Sequence, residues 1–199
     1  MPHYDFIEIG TSDFHSLIQR AGPKTRGISV EPINEYLARL PSPPLVVKVN
    51  AAISDVTGTT EIYYVPDDLR QQHGLPTWMK GTNSIGHPHP TVVRHLTRHG
   101  LPLSLIHTRS VPLISLTELL ASNDVTSIGQ LKIDTEGHDT VIMRQMLDVM
   151  TNGGPMPSII KFEANSLSKR DEVAAIVQEL VALGYTIRQT TRDVIATRQ

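Results

Sequence analysis

Short apolar runs recur along this chain, and each carries a polar side chain at or near its end: Phe6-Ile7-Glu8-Ile9, Ile28-Ser29-Val30-Glu31, Leu45-Val46-Val47-Lys48-Val49-Asn50, Leu131-Lys132-Ile133-Asp134 and Ile159-Ile160-Lys161-Phe162-Glu163-Ala164-Asn165. Runs this short, rich in Ile and Val and bounded by turn residues, predict buried strands. The segments between them carry apolar residues at helical spacing. Asn34–Leu40, Leu116–Ala121, the set Val141, Ile142, Met146 and Val149, and the set Val173, Ile176, Val177, Leu180 and Val181 each predict a helix. Asn152-Gly153-Gly154 and Gly184 are placed to stop the last two, and Ser168 to cap the final one. Ser12 or Asp13 is likewise placed to cap a helix through Phe14, Leu17 and Ile18 that Gly22-Pro23 ends. Strands alternating with helices predict an α/β fold around a mostly parallel sheet. Tyr185–Gln189 and Val194–Thr197, joined by a polar turn, predict a terminal antiparallel pair.

One region breaks the alternation. Ala52–Asp55, Gly58 and Glu61–Val65 read as a turn into an extended segment. From Pro66 to Pro112 proline and histidine then crowd in, and helical spacing survives only over Val92–Leu96. A structureless stretch of this length inside one domain usually has a task. Residues 66–110 are therefore expected to form an insertion covering the substrate, with Lys80–Ser84 as a polar lid, in a single domain spanning 1–199. Six of the nine histidines fall here: His73, His87, His89, His95, His99 and His107. His87 and His89 are flanked by prolines and cannot complete a metal shell by themselves, so these are read as loop histidines, some of them touching substrate.

Composition narrows the class. A chain of 199 residues suits one core, and a net charge of -2 with a pI near 6.5 gives no electrostatic reason for a nucleic-acid partner. The absence of cysteine excludes disulfide and thiolate chemistry. No apolar run approaches the ~20 residues of a membrane span, and the amino terminus has no signal-peptide pattern. The expectation is a soluble, cytoplasmic protein with a small polar partner and no membrane; the oligomeric state stays open.

Ligands of open α/β sheets bind at the carboxyl ends of the strands. There Gly10 lets the backbone come close to a ligand, and Glu8 is placed for its polar or cationic end. Glu31, at the end of the next strand, can accept hydrogen bonds from both hydroxyls of a ribose. Asn50, Ala51 and Ala52 leave room for a flat base. The acid-then-glycine pattern returns in Asp134-Thr135-Glu136-Gly137-His138-Asp139.

These residues carry a resemblance. The sequence is similar to the FkbM-type S-adenosylmethionine-dependent methyltransferases through Glu8-Ile9-Gly10, Val30-Glu31-Pro32, Val49–Asp55 and, most specifically, Leu131–Asp139. The likeness covers most of the chain apart from 66–105. It departs at Phe14, where the family's first loop usually carries a second glycine. The resemblance implies a Rossmann-like class I methyltransferase fold, a seven-stranded sheet of order 3-2-1-4-5-7-6, with the cofactor over strands one to four. It puts Glu8, Gly10, Thr11 and Ser12 by the methionine part, Glu31 on the ribose, Asn50, Ala51 and Ala52 near adenine, and Asp134 at the floor of the reacting site. It further implies methylation of a hydroxyl, often on a sugar or glycan, with another small hydroxylated molecule as the alternative acceptor.

An alcohol is a poor acid at neutral pH, so such an enzyme needs an in-line acceptor and a base or a cation. His138 is the candidate base, against the plain alternative that it sits in the first turn of the next helix. Asp134, Glu163 and Asn165, at neighbouring strand ends, are the candidate ligands for Mg²⁺, with a structural role for Glu163, anchoring the Glu136 turn or pairing with Lys132, as the alternative. Two rival functions stand beside this one. An NAD-type oxidoreductase also uses an acid after the second strand, although Gly10-Thr11-Ser12-Asp13-Phe14 lacks the later glycines of that fingerprint. The other rival is a catalytically inactive, cofactor-binding partner subunit.

Overall fold

The computed structural model describes residues 3–14 and 16–198. In chain order its strands are β1 (His3–Ile9), β2 (Gly27–Val30), β3 (Val46–Val49), β4 (Ala52–Ser54), β5 (Gly58–Tyr64), β6 (Ser84–Ile85), β7 (His107–Ser115), β8 (Ser127–Ile133), β9 (Ile159–Glu163), β10 (Thr186–Gln189) and β11 (Asp193–Thr197). The α-helices are α1 (Asn34–Arg39), α2 (Asp67–Gln72), α3 (Pro90–Arg98), α4 (Leu116–Ser122), α5 (Asp139–Thr151) and α6 (Arg170–Ala182). A large sheet runs β10-β11-β9-β8-β1-β2-β3, and a smaller one runs β4-β7-β5-β6. In the large sheet β1, β2, β3, β8 and β9 are mutually parallel, and β11 runs antiparallel to both of its neighbours.

The central strands are apolar because they are covered: Ile7, Ile28, Leu131, Ile160 and Phe162 are fully buried. They share one core with Ile142, Met143 and Met146 of α5 and Ile176 and Leu180 of α6. Each such side chain stabilises the fold by roughly 1.5–3 kcal/mol. The run at Val46–Val49 was expected to be buried, but it forms the edge strand β3, and Val47 is half-exposed there.

The register matters more than the strand count. Val49, Val30, Ile9, Ile133 and Phe162 stand side by side across β3, β2, β1, β8 and β9. One step further along the chain, the next row is Asn50, Glu31, Gly10, Asp134 and Glu163. The ladder still holds there: Glu31 N–H donates to the Val49 carbonyl, Gly10 N–H to Val30 and Asp134 N–H to Ile9, each at 3.0 Å. One step before the apolar row lie Lys48, Ser29, Glu8, Lys132 and Lys161. A largely basic row therefore runs beneath a largely acidic one.

Three expectations need correction. Among the described residues no α-helix follows β1; the segment contains only a 3-10 turn over Ile18–Arg20. The groups that would start a helix are used elsewhere. Ser12 N–H donates to Glu31 and Leu17 N–H to Glu8, each at 2.7 Å, while the Asp13 carboxylate holds Arg39 at 2.5 Å and Lys80 at 2.6 Å. Secondly, Ser168 does not cap α6, whose N-cap position is Lys169. Thirdly, residues 66–110 are not a bare loop. They contain α2, a 3-10 turn over Thr77–Lys80, β6, α3, a 3-10 turn over Leu103–Leu105 and the start of β7. Val65, Leu75, Met79, Val92, Leu96 and Leu105 give the region a small core of its own. Apart from the helical spacing at Val92 and Leu96, these positions are scattered among prolines and polar residues, which hides the core they form.

Candidate active site

The polar row at the strand ends opens into a pocket lined by Gly10, Ser12, Glu31, Ala51, Ala52, Asp134, Glu136 and His138, with Ile53, Ile62 and Ile85 as apolar wall. Its cavity volume is small, ≈ 60 Å³. Gly10 sits at its centre with φ +78, and a Cβ there would lie 1.9 Å from the Asp134 carbonyl oxygen. The glycine is demanded by the approach of β8 as well as by any ligand.

Glu31 is 3 % exposed, yet both of its oxygens are fixed: Oε2 accepts the Ser12 N–H at 2.7 Å and Oε1 the Ile33 N–H at 2.9 Å. Burial pushes its carboxyl up to about 7, against the pull of those two donors. Asp134 is ringed by protein but reached by water from the mouth of the pocket, and burial raises its carboxyl to about 6 while Lys132 draws it back down.

A second, wider cavity adjoins the first. Phe14, Trp78, Thr82, Glu163, Asn165 and Arg192 are among its walls. Gly81 and Glu136 line both cavities. Phe14, the residue standing where a glycine was expected, packs on Gly81, where a Cβ would meet its ring at 2.8 Å. Trp78 presents a 40 % exposed ring to this cavity, held by an edge contact with His95. Oxygens of Asp134, Glu136 and Glu163 gather within 4.8 Å of one another at the junction. The Glu163 carboxyl is pushed up to about 8, first by burial and then by the negative charges of Glu136, Asp134 and Asp139.

The predicted site residues fall into two groups. Gly10, Ser12, Glu31, Ala51, Ala52, Asp134 and His138 meet in the pocket. Glu8, Thr11 and Asn50 do not line it. Glu8 is fully buried and spent on Lys132 Nζ and the Leu17 N–H, both at 2.7 Å. Thr11 is buried with its hydroxyl on the Ser12 carbonyl, and the Asn50 amide clamps the carbonyls of Glu31 and Pro32 at 2.8 and 2.9 Å. Asn50 thus supports the turn that carries Glu31.

Of the expected Mg²⁺ ligands, Asp134 and Glu163 bring carboxylate oxygens together, and Asn165 Oδ1 accepts the Leu167 N–H at 2.7 Å. Glu163 does not pair with Lys132, which belongs to Glu8. His138 Nε2 is 2.9 Å from the Ser54 hydroxyl, and burial lowers its pKa, so the neutral ring is favoured. Sequence reasoning passed over Glu136, whose place in Asp134-Thr135-Glu136-Gly137 was the available signal, and over His89. Of the six histidines in the insertion, His89 alone is buried, and it bonds Glu136 across 3.2 Å.

The sequence profile of the methyltransferase FkbM domain matches residues 6–187. The chain belongs to the FkbM methyltransferase family. The match takes in every residue of both cavities except Arg192, and it includes the insertion. No curated protein and no solved structure matches this FkbM-domain protein. Among its described residues no helix is long and apolar enough to cross a membrane.

Proposed function

We propose that this FkbM-domain protein is an S-adenosylmethionine-dependent O-methyltransferase acting on a hydroxyl of a sugar or glycan. Glu31 carries the reading. A carboxylate with both oxygens oriented by backbone N–H groups, at the rim of a pocket walled by Ala51, Ala52, Ile53, Ile62 and Ile85, suits a nucleoside: ribose at the acid, base among the apolar groups. The sheet order, read from β3 to β10, is that of the class I fold and supports the same reading.

When bound, S-adenosylmethionine supplies a methyl group on a sulfonium that is already an activated leaving group. The chain's own residues do the rest. Gly10 and Ser12 flank the methionine part. Asp134 and Glu136 concentrate negative charge at the cavity junction, where the donor's cationic end is stabilised. Glu8, already neutralised by Lys132, does not supply that charge. Ile62 and Ile85 add apolar wall to the pocket. In the second cavity the Trp78 face suits the apolar side of a pyranose, with Thr77, Thr82, Thr91 and Ser166 around it for hydroxyl groups. The region 66–110 supplies much of that wall and so covers the acceptor.

The NAD reading is disfavoured by the first loop. N–H groups of Gly10 and Thr11 donate to Val30 and that of Ser12 to Glu31, so these are not available to a pyrophosphate. Calorimetric titration with S-adenosylhomocysteine and with NADH tests the assignment: binding of the first alone is expected, and binding of NADH alone overturns it. Transfer of labelled methyl groups to a panel of sugars and glycans then separates an enzyme from an inactive partner subunit.

A further inference from the structure

We propose that Glu136 holds the acceptor hydroxyl and takes its proton, and that His89, from the insertion, positions Glu136 for this work. The inference rests on the methyl-transfer reading above and concerns which residue handles the acceptor. Methyl transfer needs the acceptor oxygen at the boundary between the donor pocket and the acceptor cavity. Gly81 and Glu136 line both, and of the two only Glu136 has a side chain. His138 lines the donor pocket and not the acceptor cavity, and its Nε2 is engaged with Ser54. Glu163 lines the acceptor cavity and not the donor pocket.

The surroundings of Glu136 are built to aim it. His89 is 6 % exposed and sits at the N-cap of α3, where its Nδ1 accepts the Thr91 N–H at 3.2 Å. A neutral ring that accepts at Nδ1 carries its proton on Nε2. That proton is donated to Glu136 Oε2 at 3.2 Å, which fixes one carboxylate oxygen and leaves the other for substrate. The Glu136 backbone has φ +51, a conformation that non-glycine residues adopt at a cost and that collects at functional sites. A helix N-cap in the insertion is thereby tied to the turn after β8.

The step balances. The acceptor oxygen uses a lone pair to form the new C–O bond while the C–S electron pair stays on sulfur, giving a neutral thioether. The O–H pair stays on oxygen and the proton passes to the Glu136 carboxylate, giving a neutral acid that later returns it to water. A positive and a negative charge vanish together.

Two variants of His89 separate its roles. His89→Asn keeps a capping acceptor for α3 but is too short to reach Glu136; His89→Gln loses the cap but can still donate to Glu136. With labelled S-adenosylmethionine and whichever sugar of the panel the wild type methylates, Glu136→Gln is expected to lower kcat at least about 100-fold. Its affinity for S-adenosylhomocysteine should stay within about threefold of wild type. His89→Asn is expected to lower kcat about tenfold, and His89→Gln to restore it to within about threefold. A Glu136→Gln enzyme with kcat within threefold of wild type overturns the proposal, as does loss of activity in His89→Gln with full activity in His89→Asn, which would reduce His89 to a cap.

A third readout needs no known acceptor. Wild-type crystals holding S-adenosylhomocysteine and soaked in glycerol should show a glycerol hydroxyl within hydrogen-bonding distance of Glu136. Any such crystal without that contact counts against the proposal. Failure of the wild type to bind S-adenosylhomocysteine at all would instead sink the methyltransferase reading itself.

Discussion

β1 and β8 end alike in sequence, yet the two strand ends do different work. Glu8-Ile9-Gly10 and Asp134-Thr135-Glu136-Gly137 both place an acid shortly before a glycine. Glu8, however, pairs in register with Lys132, and it is Gly10 that stands beside Asp134. The first acid lies within the sheet, neutralised by its cross-strand neighbour; the second lies one residue beyond the sheet, in the pocket. An acid near a strand end thus reaches the pocket only if the strand has already ended. The two glycines differ in the same way. Gly10 is pressed by backbone, its missing Cβ 1.9 Å from a carbonyl oxygen, whereas a Cβ on Gly137 would meet only the Leu167 side chain at 3.0 Å.

The sharpest way to break this contrast is to remove the first acid. Glu8→Gln leaves the Lys132 ammonium, with a side chain only 12 % exposed, without its partner. It should cost about 3–5 kcal/mol in denaturant unfolding. The double variant Glu8→Gln/Lys132→Met should recover most of that, and should bind S-adenosylhomocysteine within about threefold of wild type. Weaker binding in the stable double variant would return Glu8 to the cofactor.

The glycines come next. Gly10→Ala combines a positive φ with a backbone clash and should lose about 3 kcal/mol or more, while Gly137→Ala, facing a movable side chain, should lose about 1–2 kcal/mol. Equal losses in thermal or denaturant melts would show that the two turns are equally crowded.

Glu31 tests the polar row itself. Glu31→Ala should weaken S-adenosylhomocysteine binding by roughly 1–3 kcal/mol. Because the buried carboxyl sits at about 7 before ligand binds, and ribose hydroxyls donate to its ionised form, affinity should fall as pH drops below that value. The limit is roughly tenfold per pH unit. Glu31→Gln should flatten the profile, and an equally steep profile in that variant would remove the assignment.

The smallest effect belongs to Glu163. Its folded carboxyl is raised to about 8 from 4.5, so its share of stability is whole below about pH 4.5 and is lost as pH rises through 8. Glu31 and Asp134, also raised, act in the same direction. Melting temperature should therefore decline between pH 5 and pH 9, and Glu163→Gln should reduce that decline. Discounted for partial exposure, the relief is about 1 kcal/mol, or roughly 2–4 °C at the alkaline end. A melting curve set whose pH dependence is the same in wild type and Glu163→Gln would contradict the burial of this acid.

Much of this was legible before folding was considered. Alternating strand and helix patterns, the closing β10–β11 pair, and the acids Glu31 and Asp134 at strand ends follow from local rules, because hydrophobic period and turn residues act within a few positions of one another. The helix expected after β1 was not so decided. Asp13 is a good cap in isolation, but Arg39 and Lys80, remote in sequence, claimed its carboxylate, and Glu31 drew in the Ser12 N–H. Residues 66–110 were misread as a loop for a related reason: the core of Leu75, Met79, Val92 and Leu96 joins segments separated by prolines and turns, and only Val92–Leu96 shows a period along the chain.

The amino-acid sequence by itself determined that this would be an α/β protein of the FkbM methyltransferase family with acids at the tips of its strands. Only the tertiary structure decided which acid faces the pocket, since register brings Gly10 beside Asp134, buries Glu8 on Lys132, and sets Glu136 against His89. Those pairings join residues far apart in the chain, and no local preference encodes them; they follow from how parallel strands align when their apolar faces are buried together.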